Sequence, residues 1–249
     1  MSVLERLRGI CARTRVHMTL IDPDKQSPAD AGRIAALAAR AGSDAIIIGG
    51  SSRMARAEVE RTVREIKAAA GLPAILFPSG AQAVAPSADA IFFMSLLNSR
   101  SPQFLMREQK NAVPLLKKAG IETIPMGYLI VEPGMRVGQV GQADLIRRDD
   151  PEEAVRYALA AEAFGMAIVY LEAGSGAPEP VPASMIRTVR AAVSIWVCVG
   201  GGIRKPEQAA TIAAAGADII VTGTLVEEAA DVEGALRPVI AAIKNTPRP

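Results

Sequence analysis

The chain has 249 residues, the usual length of one α/β barrel domain, and half of them are hydrophobic. Its formal net charge of +2 is too small to indicate binding to nucleic acid or to an anionic membrane surface. No uncharged apolar run reaches the ~20 residues that cross a bilayer, and the charged N-terminus is unlike a signal peptide. The composition therefore predicts one soluble, cytoplasmic domain over residues 1–249.

Eight short apolar segments alternate with longer amphipathic segments, which is the pattern of βα units. The predicted strands are residues 16–21, 45–48, 74–77, 90–94, 123–130, 167–171, 195–199 and 219–221. Most are apolar throughout, as expected of parallel strands that are covered on both faces. The pattern predicts an α/β fold consisting of a single (β/α)8 barrel.

Polar residues follow the first two predicted strands, at the end where barrel enzymes carry their active sites. Asp22, Asp24 and Lys25 come directly after the first strand. Two carboxylates and a lysine could bind a hard cation and an anionic ligand, although Pro and Asp also favour a plain turn. Ser51 lies in the Gly-Gly-Ser-Ser segment after the second strand. Its hydroxyl could join a Mg²⁺ shell or bind a phosphate oxygen, or the segment could be an ordinary turn.

The link between the third and fourth strands is too short for a normal barrel helix. Residues 78–89 include two prolines and Gly80 and show no helical periodicity. A parallel crossover normally needs a helix and at least ~10–12 residues. We expect the third barrel helix to be missing or replaced by an irregular segment. This segment is either a short crossover without further role or a slot in the barrel wall for an elongated apolar ligand.

The segment from Tyr170 to Gly176 (Tyr-Leu-Glu-Ala-Gly-Ser-Gly) ends the sixth strand. Tyr170 and Glu172 alternate along the strand and therefore face the same side. A carboxylate at this position could bind or deprotonate a hydroxyl group, and the Gly-Ser-Gly stretch could form an anion-binding nest. The alternative is a flexible loop with a capping glutamate.

Two glycine-containing segments follow the last two strands, namely residues 200–204 (Gly-Gly-Gly-Ile-Arg) and 222–224 (Thr-Gly-Thr). Loops seven and eight form the standard phosphate site of α/β barrels, so a substrate bearing a phosphate is predicted. The single histidine, His17, lies inside the first strand pattern. A core histidine is expected there, and acid–base catalysis by a histidine is therefore not expected.

Taken together, these segments resemble the geranylgeranylglyceryl phosphate synthases. The resemblance is carried by residues 19–25, 49–51, 77–80, 92–99, 127–131, 170–176, 200–204 and 222–224, in this order along nearly the whole chain. The Tyr-Leu-Glu-Ala-Gly-Ser-Gly segment is its most specific part.

This resemblance implies an enzyme of ether-lipid synthesis that joins the C3 hydroxyl of sn-glycerol 1-phosphate to geranylgeranyl diphosphate. It implies that Asp22 and Ser51 bind Mg²⁺ for the diphosphate, and that Glu172 contacts the glycerol hydroxyl and accepts its proton. The implied ligands of glycerol phosphate are Tyr170, Leu171, Glu172, Ala173, Gly174, Ser175, Gly176, Gly201, Gly202, Gly223 and Thr224. It also implies a homo-oligomer whose contact with membranes is at most peripheral.

One position departs from the family pattern. Some members of the wider family carry a lysine two residues before the metal-binding aspartate, whereas this chain has Leu20 there. Lys25 and Arg204 are the candidates for supplying the missing positive charge to a phosphate.

Three other functions stay open at this point. The first is a heptaprenylglyceryl phosphate synthase, which uses the same acceptor and a longer donor. The second is a phosphate-binding barrel enzyme of sugar or amino-acid biosynthesis, such as an isomerase or lyase with two carboxylates. The third is a barrel that binds phosphate without catalysis.

Overall fold

The computed structural model describes residues 1–50 and 55–248. Eight parallel strands form a closed barrel in chain order, and β8 pairs with β1 from Ile219 opposite Val16 onward. The strands are β1 (Val16–Ile21), β2 (Ala45–Ile48), β3 (Ala74–Leu76), β4 (Ala90–Leu96), β5 (Glu122–Ile130), β6 (Ile168–Glu172), β7 (Trp196–Gly200) and β8 (Ile219–Thr222). The predicted (β/α)8 barrel is confirmed, and the strand ends differ from the prediction by only one or two residues.

Ten α-helices within the described ranges surround or flank the barrel. They are α1 (Val3–Cys11), α2 (Pro28–Ala41), α3 (Arg56–Ala70), α4 (Glu108–Ala119), α5 (Met135–Val140), α6 (Pro151–Ala163), α7 (Ala183–Ala192), α8 (Pro206–Ala214), α9 (Thr224–Glu228) and α10 (Val232–Asn245). Helix α2 shows how the local sequence determines where a helix begins and ends. The Ser27 hydroxyl accepts a hydrogen bond from the Asp30 amide at its start, and Gly42 ends the helix in a left-handed conformation. None of these helices is long and apolar enough to span a bilayer.

The wall between β3 and β4 lacks a barrel helix, as the short link predicts. A single 3₁₀ turn, Ala81–Ala83, is the only helical structure between these strands. The two strands pair over just two positions, Ile75 with Ala90 and Leu76 with Ile91. The chain then continues through a π-helical turn, Gln103–Arg107, into α4. This side of the barrel is therefore covered by irregular chain and by α4.

Hydrophobic side chains fill the inside of the barrel, so that no channel runs through it. Met18, Ile47, Ile75, Phe92 and Met126 belong to this inner cluster and are almost completely buried. Two further clusters lie between the barrel and the helices outside it. Because the interior is packed, a ligand can enter only above the C-terminal ends of the strands or through the outer layer.

His17 belongs to this interior and not to a catalytic site. Its ring nitrogens lie 3.0 Å from Ser43 Oγ and 3.0 Å from Thr222 Oγ1, and the side chain is fully buried. Burial, with a smaller effect of Lys244, lowers the pKa of His17 to about 3. The ring therefore stays neutral at physiological pH, which confirms the prediction of a core histidine.

An ionic cluster closes the opposite, N-terminal end of the barrel. The buried carboxylate of Asp218 accepts hydrogen bonds from Arg190 Nη1 at 2.7 Å and from the Val197 amide at 3.0 Å. Arg248, from the C-terminal segment, lies 3.4 Å from the other oxygen of Asp218. Groups at this end of a barrel contribute to stability, because the chemistry takes place at the other end.

Candidate active site

A cavity of about 330 Å³ opens at the C-terminal ends of the strands and extends past β3 and β4 to α4. Charged and hydroxyl side chains lie at the barrel top, namely Asp22, Asp24, Lys25, Glu172, Ser175 and Thr224. Apolar side chains line the side toward the helix-poor wall, namely Phe77, Val84, Ile91, Phe93, Phe104 and Ala112. The cavity thus joins a polar site to an apolar channel. Of the two alternatives for residues 78–89, the lining favours the slot in the barrel wall, since Pro78, Gly80, Ala81 and Val84 line the cavity.

Glu172 is the last residue of β6 and points into the cavity while remaining 6% exposed. Its Oε1 accepts a hydrogen bond of 2.6 Å from the Gly174 amide, and the Tyr170 hydroxyl donates a second one. Burial raises the pKa of Glu172 to about 6, while these two hydrogen bonds act in the opposite direction. The carboxylate is therefore ionised at neutral pH but more basic than an exposed glutamate, as a general base requires.

Aromatic rings form the floor of the cavity beside Glu172. Tyr170 stacks on Phe77 with a centroid distance of 5.8 Å and contacts Tyr128 edge-on at 5.1 Å. A Cβ on Gly200 would collide with the Tyr170 hydroxyl, so only glycine leaves room for the tyrosine at this point of β7. The hydroxyl that contacts Glu172 is thus held by packing on several sides.

Asp22 and Asp24 bring two carboxylates to the end of β1. Asp22 is 9% exposed, and its pKa is raised by burial, by a hydrogen bond with Asp24 and by the negative charge of Asp24. A Cβ on Gly50, after β2, would collide with the Asp22 carboxylate. Position 50, after β2, therefore requires glycine, because any side chain there would collide with the Asp22 carboxylate of the acidic pair at the end of β1.

The acidic pair fits a divalent cation that prefers oxygen ligands. Mg²⁺ usually binds one or two carboxylates and completes its shell with water and substrate phosphate oxygens. Within the described ranges no three His, Cys, Asp or Glu side chains are grouped closely enough to hold a metal without such partners. Ser51, the other ligand implied by the resemblance, lies outside the described residues. A divalent cation at the acidic pair would need further oxygen ligands, such as water or phosphate oxygens, to complete its shell.

Three loops meet where the phosphate site is predicted. Gly201 and Gly202 after β7 have φ angles of +84° and +71°, and Thr224 begins the short helix α9 after Gly223. The Gly176 amide, in the loop after β6, donates a hydrogen bond of 3.1 Å to Thr224 Oγ1. Ser175 Oγ lies 3.3 Å from the same oxygen. The structure therefore brings loops six, seven and eight together beside Glu172, which is the arrangement of a barrel phosphate site.

Leu171 and Ala173 do not direct their side chains into this site. Both are fully buried in the hydrophobic cluster between the barrel and the outer helices. Because side chains alternate along a strand, only Tyr170 and Glu172 face the cavity here. Gly174 and Gly176 have no side chain to offer. These four residues could contact a ligand through their backbone groups alone.

The two candidate cations occupy different positions. Lys25 lines the cavity, but its Nζ forms an ion pair of 2.6 Å with Glu227. Arg204 does not line the cavity: its Nη1 donates to the Ala177 carbonyl at 2.7 Å, and its Nε lies 3.8 Å from Glu228. Leu20, at the family's lysine position, lines the cavity. Arg204 therefore supports the loop after β6, and Lys25 is the candidate whose side chain lines the cavity.

Two features of the cavity were missed in the sequence. The six-residue helix α5 and its Arg136 line the cavity, yet nothing in the spacing of residues 131–150 indicates this. The residues of the apolar channel, such as Phe104 and Ala112, follow no motif either. A long apolar stripe on the helix after β4 would have indicated that this helix lines a channel. Lys and Glu residues interrupt the apolar positions of that helix, so the sequence shows no such stripe.

Comparisons with known proteins agree with this geometry. Residues 10–243 match the PcrB family. The chain is 49% identical to a protein of Picrophilus torridus called geranylgeranylglyceryl phosphate synthase, over 97% of this chain and 98% of the relative. A protein of the same name from Thermoplasma acidophilum is 47% identical over 98% of this chain and 97% of the relative.

Solved structures give the same result. A crystal structure of (S)-3-O-geranylgeranylglyceryl phosphate synthase from Thermoplasma acidophilum, in complex with sn-glycerol-1-phosphate, superposes with a TM-score of 0.95. It is 47% identical, and the match covers 98% of this chain and 99% of that one. A tryptophan synthase structure from Mycobacterium tuberculosis, at a TM-score of 0.67 and 15% identity, shares the fold only. The chain described here belongs to the PcrB family.

Proposed function

We propose that this protein transfers the geranylgeranyl group of geranylgeranyl diphosphate to the C3 hydroxyl of sn-glycerol 1-phosphate. The observation that carries the proposal is a single cavity that joins a phosphate site and a buried carboxylate to an apolar channel. Small sugar or amino-acid precursors need no such channel, so the cavity favours a prenyl transfer over an isomerase or lyase reaction. The names of the relatives support the same acceptor and donor.

The acceptor would bind with its phosphate at the loops around Gly201, Gly202, Gly223 and Thr224. Backbone amides in such loops bind phosphate dianions. A glycerol hydroxyl extending from this point reaches the neighbourhood of Glu172, because a Cβ on Gly201 would collide with Glu172 Oε1. The carboxylate then accepts the hydroxyl proton as the oxygen attacks the donor.

The donor would lie with its prenyl tail along the apolar channel between β3, β4 and α4. Each buried methylene contributes about 0.8 kcal/mol, so a channel of this kind positions the tail strongly. At the reacting end the bond between C1 and the diphosphate oxygen breaks, and a bond from C1 to the glycerol oxygen forms. The diphosphate leaves with the electron pair, and the proton stays on Glu172.

Asp22 and Asp24 would hold Mg²⁺ against the diphosphate, with Ser51 as the further ligand that the resemblance implies. The bound ion would neutralise charge on the leaving group. The rest of the catalysis proposed here is positioning and electrostatics by the chain itself. We also propose that the enzyme is cytoplasmic, forms homo-oligomers and touches membranes only at their surface.

The test is a transfer assay with sn-glycerol 1-phosphate, Mg²⁺ and geranyl, farnesyl, geranylgeranyl and heptaprenyl diphosphates. Turnover is expected to peak at the geranylgeranyl donor and to stop when EDTA removes the metal. A peak at the heptaprenyl donor would support the longer-chain synthase instead. Binding of glycerol phosphate without transfer from any donor would contradict the proposal and favour a non-catalytic barrel.

A further inference from the structure

Among the residues that the structure describes, the charged groups that line the cavity include more carboxylates than cations. The two cations are Lys25 and Arg136. The carboxylates are those of Asp22, Asp24, Glu108, Glu172 and Glu227. The proposed reaction brings a diphosphate and a phosphate into this acidic cavity. Each free positive charge in it therefore has a large effect on the binding of anionic ligands.

Arg136 differs from Lys25 in having no partner in the described part of the chain. Lys25 is occupied by Glu227 at 2.6 Å. No ion pair or hydrogen bond joins the Arg136 side chain to any of the described residues, although the cavity contains several carboxylates. A guanidinium that lines a cavity without a protein partner keeps its full set of donors for a ligand.

The backbone around Arg136 is fixed against the loop that follows Glu172. The Gly134 amide donates a hydrogen bond of 3.1 Å to the Ala173 carbonyl. A Cβ on Gly174 would lie 2.7 Å from the Met135 Cβ, so the two segments are in close contact. Arg136 is the residue after Met135, and its exposed side chain lines the cavity.

The barrel order places Arg136 on the donor side of this base. Helix α5 follows β5, whereas the phosphate loops follow β7 and β8 on the other side of β6. Val137 and Val140, on the same helix as Arg136, also line the cavity, as does Phe104 from the chain after β4. Arg136 thus lies where the polar site meets the apolar channel, which is where the head group of a prenyl diphosphate would be.

We propose that Arg136 binds the diphosphate of the prenyl donor and retains it as the leaving group. Its planar guanidinium can donate two parallel hydrogen bonds to phosphate oxygens. This inference rests on the proposed function, and it adds Arg136, which lies outside the segments that carry the family resemblance, to the proposed ligands of the diphosphate. The acceptor phosphate does not depend on Arg136.

The experiment measures binding of inorganic diphosphate in the presence of Mg²⁺ by isothermal titration calorimetry. Arg136→Gln should weaken this binding about tenfold, since a charge-assisted hydrogen-bond pair is lost. The diphosphate affinity of Arg136→Lys should lie between those of Arg136→Gln and the unchanged protein, because lysine restores the positive charge but cannot donate two parallel hydrogen bonds. Arg187→Gln is the matched control, since Arg187 is exposed on α7 and does not line the cavity.

Binding of sn-glycerol 1-phosphate to the same proteins separates the two phosphate sites. It should be unchanged in Arg136→Gln, and the KM for geranylgeranyl diphosphate should rise while the KM for the acceptor stays constant. Unchanged diphosphate binding in Arg136→Gln, or an equal loss of both ligands, would overturn the assignment. If the unchanged protein transfers no prenyl group, the proposed function fails, but the titration still decides whether Arg136 binds diphosphate.

Discussion

The hydrogen bond between Tyr170 and Glu172 predicts how the activity should depend on pH. Glu172 must be ionised to accept a proton, and its pKa is about 6 in the folded protein. We therefore expect kcat/KM to be constant at neutral pH and to fall about tenfold per pH unit well below pH 6. In Tyr170→Phe the carboxylate loses a donor that stabilises its charged form, so the fall should begin at higher pH.

The size of the shift follows from the strength of that bond. A hydrogen bond to a charged group contributes about 1.5 kcal/mol, and about 1.4 kcal/mol corresponds to one pH unit. The acid limb of Tyr170→Phe should thus move up by about one pH unit. Its activity relative to the unchanged protein should be about fivefold lower at pH 6 and nearly equal at pH 9.

The assay is the initial rate of prenyl transfer at limiting substrate, measured between pH 5 and pH 9 for both proteins. Binding of glycerol phosphate across the same range is the control for titration of the ligand. Glu172→Gln should bind glycerol phosphate and lose most turnover. An acid limb that stays in place in Tyr170→Phe would refute the reasoning, and it would indicate that Asp22, whose pKa is also raised, controls the rate.

Three further changes test other parts of the structure. Gly50→Ala should displace the Asp22 carboxylate and raise the KM of the donor about tenfold or more, measured at fixed Mg²⁺. Ala112→Phe should fill the channel beside α4 and move the donor preference from geranylgeranyl to farnesyl diphosphate, measured as the ratio of their kcat/KM values. Asp218→Asn should weaken the ion pairs at the far end of the barrel, lowering the free energy of unfolding in urea by about 2 kcal/mol while the activity is kept.

Two of these changes have a matched control variant in the chain. Gly9→Ala, where an added Cβ meets nothing within 4 Å, should leave donor binding unchanged. Asp149→Asn removes an exposed ion pair with Arg147 and should change stability by less than about 0.5 kcal/mol. An Ala112→Phe protein that keeps its preference for the longer donor would show that the tail does not reach α4. Equal effects of Asp218→Asn and Asp149→Asn would contradict the role assigned to the buried cluster.

The barrel could be predicted from sequence because its strands are continuous apolar runs. Parallel strands covered on both faces leave little ambiguity, and the only short crossover was visible as two prolines without helical periodicity. The loops around Glu172, Gly201 and Thr224 were predicted for a similar reason: they come directly after strand ends, and strand ends meet at one face of a barrel.

The lining of the channel could not be predicted in the same way. Phe104 and Ala112 are brought to the cavity by the π-helical turn and the packing of α4, which depend on contacts distant in sequence. Arg136 lies on a helix of only six residues, too short for a periodic pattern. The resemblance also implies that every residue from Tyr170 to Gly176 binds glycerol phosphate. The side chains of Leu171 and Ala173, however, point away from the cavity into the outer hydrophobic cluster.

The helix-poor wall between β3 and β4 has a consequence for how such an enzyme can change over generations. The residues that would measure the length of the donor lie on the 3₁₀ turn, β4 and α4, while the groups proposed for the chemistry lie at the ends of β1, β6, β7 and β8. Substitutions in the first set need not alter the positions of the second. Selectivity for the lipid chain can therefore diverge among descendants of one ancestor while the reaction itself is conserved.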